Sequence, residues 1–220
     1  MITIKSISVL FLLLGLLFLA QVSLPLIGFK VWENIFLNGV NLISPDSIGV
    51  SPQLPNSNDP LVAGITVENR SNFPVIVSNL NRATKAPFAN FSLELPSLKK
   101  SFLVSVDSND LNSGPVQLPG SALPGEKGNL FISGHSTLPI FLTKGVAPFD
   151  NLTNLKKGDL IKVTAAGVDF TYQVSDIKIV SPKDLSIISP PDNVGRFISL
   201  MTCVPPGLNT KRLVVIGKLI

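Results

Sequence analysis

From Ile7 to Phe29 the chain runs for 23 residues without a charged side chain. As a helix this stretch rises roughly 34 Å, against about 30 Å for the hydrocarbon core of a bilayer. A run of that length either spans a membrane or is an export signal that is removed. Its densest part, Val9–Ala20, has the length of the apolar region of an export signal, and Ala20 suits the last position before cleavage. Phe18, two places earlier, is bulky where a small residue is required. The segment is therefore expected to stay as a signal anchor, with Pro25 near its far end. Lys5 and the α-amino group belong on the cytoplasmic side. Residues 1–6 are then cytoplasmic, 7–29 transmembrane, and everything after residue 30 extracytoplasmic.

Charge sets further limits. The chain carries 18 Lys and Arg against 14 Asp and Glu, a net charge of +4. The basic residues are scattered, with Lys99–Lys100, Lys156–Lys157 and Lys211–Arg212 the only adjacent pairs. No basic stripe interleaved with aromatics is present, so nucleic acid is not an expected partner. One cysteine rules out an internal disulfide, and a single thiol outside the cytoplasm points to reactivity. With one histidine and no carboxylate cluster at ligand spacing, neither metal nor cofactor is expected.

Residues 30–62 hold Pro45, Pro52, Pro55 and Pro60 among Ser, Asn and Gly, a linker composition. Ala63–Val67 and Phe73–Val77 read either as short strands or as pieces packing on a main domain. The expected division is a stalk over 30–85 and a folded domain over 86–220. From Phe91 the pattern becomes short strands with turn residues between them. Strands are expected at Phe91–Leu95, Ser101–Val106, Asn129–Gly134, Asp159–Ala165, Val168–Ser175, Arg196–Cys203 and Arg212–Ile220. Ala166–Gly167 reads as a hairpin turn, and Pro139–Leu155 has room for a helical turn. About eight strands in roughly 130 residues fit an all-β fold, a closed barrel or a sandwich. Helical periodicity is confined to the anchor.

Three residues in this pattern carry chemistry. The strand Phe197–Cys203 ends at the only thiol, and Pro205-Pro206-Gly207 breaks it before Arg212 opens the next strand. Antiparallel pairing of the two brings Cys203 and Arg212 to one rim. Period two places Cys203 with Met201 and Ser199 on one face, and Arg212 with Val214 and Ile216 on one face. The lone His135 also ends a strand, just before Ser136. A thiol needs deprotonation or a nearby cation to act as a nucleophile. A guanidinium supplies fixed donors to a developing oxyanion, and an imidazole hands a proton to a leaving amine. Taken singly, each has an ordinary reading: a small buried hydrophobe, a turn residue and an edge charge.

The motifs favour the chemical reading. Ser199-Leu-Met-Thr-Cys203 resembles the sortase signature Thr-Leu-x-Thr-Cys, with Ser in place of the first Thr. Cys203-Val-Pro and Arg212-Leu-Val-Val resemble its continuation into the last strand. Leu123-Pro-Gly-Glu-Lys-Gly-Asn-Leu-Phe-Ile-Ser-Gly-His135 is similar to the segment leading to the sortase catalytic histidine. Leu155–Val163 and Ile179–Asp184 resemble further strand-and-turn pieces of that family. The resemblance implies a closed eight-stranded sortase-type β-barrel and catalytic roles for His135, Cys203 and Arg212, with Ser136, Met201 and Thr202 expected at the substrate. It also implies partners: surface proteins ending in a Leu-Pro-x-Thr-Gly-like sorting signal, cleaved through a thioacyl intermediate, and a primary amine that resolves it. A hydrolase on the same fold and a catalytically silent binding barrel are the alternatives. The Pro-rich segment 182–195 would face the substrate, and Asp59-Pro60-Leu61 lacks the aromatic of the Asp-Pro-aromatic lid seen in pilin-polymerising members.

The anchor reading is tested by fractionation and N-terminal sequencing. The mature protein is expected in the membrane fraction with Met1–Lys5 retained, whereas a mature chain starting at Gln21 would show a cleaved signal.

Overall fold

The computed structural model describes residues 4–38, 64–70, 73–81, 84–136, 147–206 and 210–220. Most of the Pro-rich linker, including Asp59-Pro60-Leu61, and the stretch around Pro139 lie outside these residues.

Helix α1 (Ile4–Asn38) has 35 residues, nine beyond the expected end of the anchor at Phe29. Leu10–Gly28 within it is long and apolar enough to cross a membrane, and Leu10–Leu14, Leu16–Leu19, Leu24 and Ile27 turn their side chains outward. A helix apolar on all sides fits a membrane anchor. The chain divides into two compact units, Met1–Gln53 and Leu54–Ile220.

The second unit is built on a closed eight-stranded barrel. Its strands are β3 (Asn90–Leu95), β4 (Lys100–Ser105), β5 (Val116–Gln117), β6 (Gly128–Ser133), β7 (Leu160–Ala165), β8 (Val168–Val180), β9 (Arg196–Val204) and β10 (Lys211–Leu219). Around the barrel they run β10-β8-β7-β3-β4-β5-β6-β9. Two strands, β1 (Ile65–Arg70) and β2 (Phe73–Ser78), form a separate antiparallel hairpin. Most expected strands fall within a residue or two of their observed bounds. β7 and β8 meet at Ala166–Gly167, where both residues have positive φ, the conformation of a two-residue hairpin turn. Beyond α1 the described residues contain only single 3-10 turns, one of them Leu152–Asn154 in the expected stretch.

Two strands differ from expectation. β5 has only two residues and lies in a segment that reads as turns. β8 continues five residues past Ser175 because a bulge absorbs that residue: Ile216 pairs with Asp176 and Gly217 with Val174. The Ser175 hydroxyl donates to the Ile216 carbonyl at 3.1 Å, which satisfies the polar group at the irregularity.

Strands β9 and β10 are buried on both faces. Ile198, Leu200, Thr202, Val204, Leu213 and Val215 alternate onto the barrel interior, with Leu130 and Ile132 of β6. On the outer face, Phe131, Phe197, Met201, Val214 and Ile216 form one apolar cluster with Ile65 and Ile76 of the hairpin and with Ile187 and Ile188. Ser78 at the end of β2 is tied down as well. Its N–H donates to Asn109 Oδ1 at 3.1 Å, its carbonyl accepts from Asn109 Nδ2 at 2.9 Å, and its hydroxyl donates to the Pro119 carbonyl at 2.7 Å. The hairpin therefore shares the barrel's outer core, although its residues fall in the stretch expected to be stalk.

Truncating a buried isoleucine removes apolar contacts and leaves a cavity, typically about 2–5 kcal/mol. Ile76→Ala is expected to lower stability by an amount in that range in urea unfolding. A chain beginning at residue 85 should lose at least as much. Unfolding midpoints equal to those of the full domain would detach the hairpin from the core.

Candidate active site

Cys203 and Arg212 share the outer face of β9 and β10, and His135 lies two residues beyond the end of β6. β9 and β10 pair antiparallel with Arg212 directly opposite Cys203. In such a pair the Cα atoms stand about 4.5–5.5 Å apart and both side chains leave the same face. β6 pairs with β9 in parallel, and its last register pair is Ser133 with Met201. Two residues further along each chain stand His135, past the end of β6, and Cys203, still within β9.

β6 itself ends at Ser133, yet the chains stay joined beyond it. The Gly134 N–H donates to the Met201 carbonyl at 3.0 Å. The Thr202 hydroxyl donates to the Gly134 carbonyl at 2.9 Å, and the Ser136 hydroxyl donates to the Cys203 carbonyl at 2.5 Å. Three ties within three residues hold the histidine turn against the cysteine strand. From the other side, Phe149 N–H donates to the His135 carbonyl at 3.0 Å. The Phe149 ring lies so close to Gly134 that a Cβ there would come within 2.6 Å of it. Phe149 is held in turn edge-to-face against Phe102, with centroids 5.7 Å apart. Gly134 is thus the residue that lets an aromatic buttress sit under the histidine.

Of the residues expected at the substrate, Ser136 and Thr202 direct their hydroxyls to main-chain carbonyls, and Thr202 is only 2% exposed on the interior-facing side of β9. Met201 lies on the outer face, in the apolar cluster two residues before Cys203. Sequence reasoning passed over Phe149, Gly134 as its partner, and Asn129, whose side chain reaches across the same face. Phe149 follows a turn-rich stretch with no periodicity to mark it. Ser133, also on this face, has a buried hydroxyl with no hydrogen-bond partner among the described residues.

Exposure differs sharply among the three candidate residues. His135 is exposed at the rim, Cys203 half-buried, and Arg212 only 2% exposed. Burial raises the Cys203 thiol pKa, and the Arg212 guanidinium beside it partly offsets that. The rim also strips enough water from His135 to lower its pKa. Burial disfavours the charge on Arg212, opposed by the Cys203 thiolate, but a guanidinium stays cationic at any working pH. The uncharged thiol and uncharged imidazole are therefore the resting forms near neutrality. Among the described residues no group of His, Cys, Asp and Glu is placed to hold a metal ion.

The family model of the sortase domain matches residues 93–220, more than half of the chain. The chain belongs to the sortase family. It is 34% identical over 129 residues to sortase A of Bacillus anthracis, a match covering 59% of this chain and 55% of that one. Against sortase D of Bacillus subtilis it is 30% identical over 131 residues, covering 57% and 61%. This sortase thus matches little more than half the length of those two relatives. Its fold resembles sortase A from Corynebacterium diphtheriae, with a TM-score of 0.53, 31% identity and 63% of each chain covered. Sortase C-1 from Actinomyces oris gives the same TM-score at 30% identity, covering 59% of this chain and 73% of that one. The expected closed eight-stranded barrel is the barrel of this family.

The raised thiol pKa has a direct readout. The rate of Cys203 alkylation by iodoacetamide should rise with pH to a midpoint above that of a free thiol, about 8.5. Arg212→Gln removes the cation that favours the thiolate and should move the midpoint higher still. Reactivity already saturated at pH 5 would mean a preformed ion pair instead.

Proposed function

We propose that this sortase is a membrane-anchored cysteine transpeptidase whose nucleophile is Cys203. The pairing of Cys203 with Arg212 on adjacent strands, with the His135 turn tied to the cysteine strand by three hydrogen bonds, carries this reading. In the proposed reaction the Cys203 thiolate attacks the scissile carbonyl of a Leu-Pro-x-Thr-Gly-like sorting signal. Arg212 donates to the oxyanion, and its burial makes each such hydrogen bond stronger than it would be in water. The His135 imidazolium protonates the leaving amine, which departs and leaves a thioester on Cys203. A primary amine then attacks the thioester, passes its proton to His135, and carries the acyl group away as a new amide.

The exposure gradient fits these roles. The proton carrier meets arriving and departing amines at the rim, while the charge stabiliser stays in a fixed, desolvated position. Met201 is proposed to line the peptide site. Ser136 and Thr202 are proposed to act through the backbone they hold, keeping His135 level with Cys203. The anchor reading places α1 across the membrane, the catalytic domain outside the cytoplasm, and the sorting signals of other surface proteins within reach.

The active protonation state needs thiolate and imidazolium together. Even with unperturbed values of about 8.5 and 6.5, that pair is only about 1% of the enzyme at any pH. Burial moves the thiol up and the imidazole down, so the fraction here is smaller. Turnover should be slow, with a bell-shaped pH profile of kcat/KM centred between the two pKa values. Arg212→Lys keeps the charge but loses the planar fork, and a fall in rate on the order of 100-fold is expected with the fold intact. The decisive assay follows a Leu-Pro-x-Thr-Gly peptide by mass spectrometry, with and without an added amine. An acyl adduct on Cys203 that moves to the amine supports transpeptidation; hydrolysis unaffected by amine would make the enzyme a peptidase. A Lys variant within a few-fold of wild type would remove Arg212 from the mechanism.

A further inference from the structure

The outer face of β9 and β10 is covered to within two residues of the reactive pair. Met201, two before Cys203, is 6% exposed, and Val214, two after Arg212, is fully buried. The cluster that covers them takes in the turn Ser186–Ile188, which is gripped by its main chain: Asn129 Nδ2 donates to the carbonyls of Ile187 and Ile188 at 3.3 and 3.0 Å. It also takes in the β1–β2 hairpin, through Ile65 and Ile76, with Val67 and Leu80 packed against it. The hairpin is fixed differently from the turn. It is a separate two-stranded sheet, paired with no strand of the barrel. A two-stranded hairpin is marginal by itself in water, so its place depends on those apolar side chains and on Ser78, which is tied to Asn109 and Pro119.

An extended acyl segment of four residues ending at Cys203 runs about 13 Å. With Met201 lining the peptide site, that segment needs the floor on which Ile65 and Ile76 rest. Peptide and hairpin cannot hold one floor together. We infer that the β1–β2 hairpin is an intramolecular plug: it occupies the apolar floor of the peptide site in the free enzyme, and a sorting signal enters only as the hairpin lifts away. The inference rests on the reading of Cys203 as the acylated nucleophile and of Met201 as part of the peptide site. Ser133 supports it independently. It pairs in register with Met201, and its hydroxyl is buried with no hydrogen-bond partner among the described residues. An orphaned buried hydroxyl is costly in the plugged state, and a peptide main chain on the same floor would supply its partner. Residues 79–89 tether the hairpin to β3, so it competes with free peptide at a high effective concentration. The apparent affinity for peptide is then reduced by the fraction of enzyme that is open.

The test uses the whole chain in detergent and a Leu-Pro-x-Thr-Gly peptide. It compares wild type with Asn109→Ala, which removes two ties at Ser78 and leaves the floor intact, and with Ile76→Ala, which withdraws a side chain from the floor. Loss of one or two uncharged hydrogen bonds corresponds to about 3–10-fold in the closing equilibrium. KM should fall by that factor in Asn109→Ala and at least as far in Ile76→Ala, with kcat little changed, while both proteins lose Tm. Iodoacetamide is too small to need the floor and should label Cys203 at the wild-type rate in all three. Hydrogen exchange followed by mass spectrometry tests wild type directly: saturating peptide should speed exchange of the β1 and β2 amides and leave β9 and β10 protected. KM unchanged or raised in both variants would overturn the inference and make the hairpin a structural brace. Faster iodoacetamide labelling alongside the lower KM would mark general loosening and overturn it as well. If no peptide adduct forms on Cys203 in any of the three proteins, the nucleophile reading fails and the inference falls with it. Adducts on Cys203 with the hairpin amides still protected would sink the inference alone.

Discussion

The arrangement of this protein hangs on the parallel pairing of β6 with β9. Parallel neighbours cannot be joined by a tight turn, so the chain between them builds β7 and β8 before returning. One register of that pair sets the turn that carries His135 against the strand that carries Cys203. A slip by one residue would send Cys203 into the barrel interior and bring Thr202 out. Three hydrogen bonds, from Gly134 N–H, Thr202 Oγ1 and Ser136 Oγ, stand where the ladder itself has already ended. One main-chain and two side-chain bonds thus continue the register past the last regular pair. The aromatic pair Phe149–Phe102 supports the same turn from beneath.

A second layer follows from burial on both faces. Interior packing backs β9 and β10 on one side, and the outer cluster excludes water on the other. Burial around Cys203 raises its thiol pKa, and burial at the rim lowers that of His135. A wetter site would relax both pKa values together.

Much of this was legible in the sequence where the signal is local. The β7–β8 hairpin, the strand ending at Cys203 and the return at Arg212 are each marked by turn residues beside alternating apolar runs. β5 was not legible, because two residues cannot show alternation. The far half of β8 was hidden because Ser175-Asp176 breaks the period at the bulge. The facing of Cys203 and Arg212 followed from antiparallel succession, whereas the level of His135 depends on a parallel partner 68 residues away and has no local signature. Family resemblance supplied that part. Ser136 and Thr202 illustrate a different limit: a hydroxyl beside a reactive residue looks the same in sequence whether it meets a ligand or a carbonyl. The β1–β2 hairpin read ambiguously, since its apolar residues are few and find their cluster only once the barrel is closed.

The grip of Asn129 on the 185–188 turn is made entirely to main-chain carbonyls. Every residue type presents that same carbonyl, so the attachment is indifferent to which side chains the turn displays. Ile187 and Ile188 are held a second way, by packing beside Phe197 and Met201 in the apolar cluster. The turn is therefore fastened twice, by its main chain through one amide and by its side chains through burial. Losing either fastening alone leaves the other to keep the turn in place.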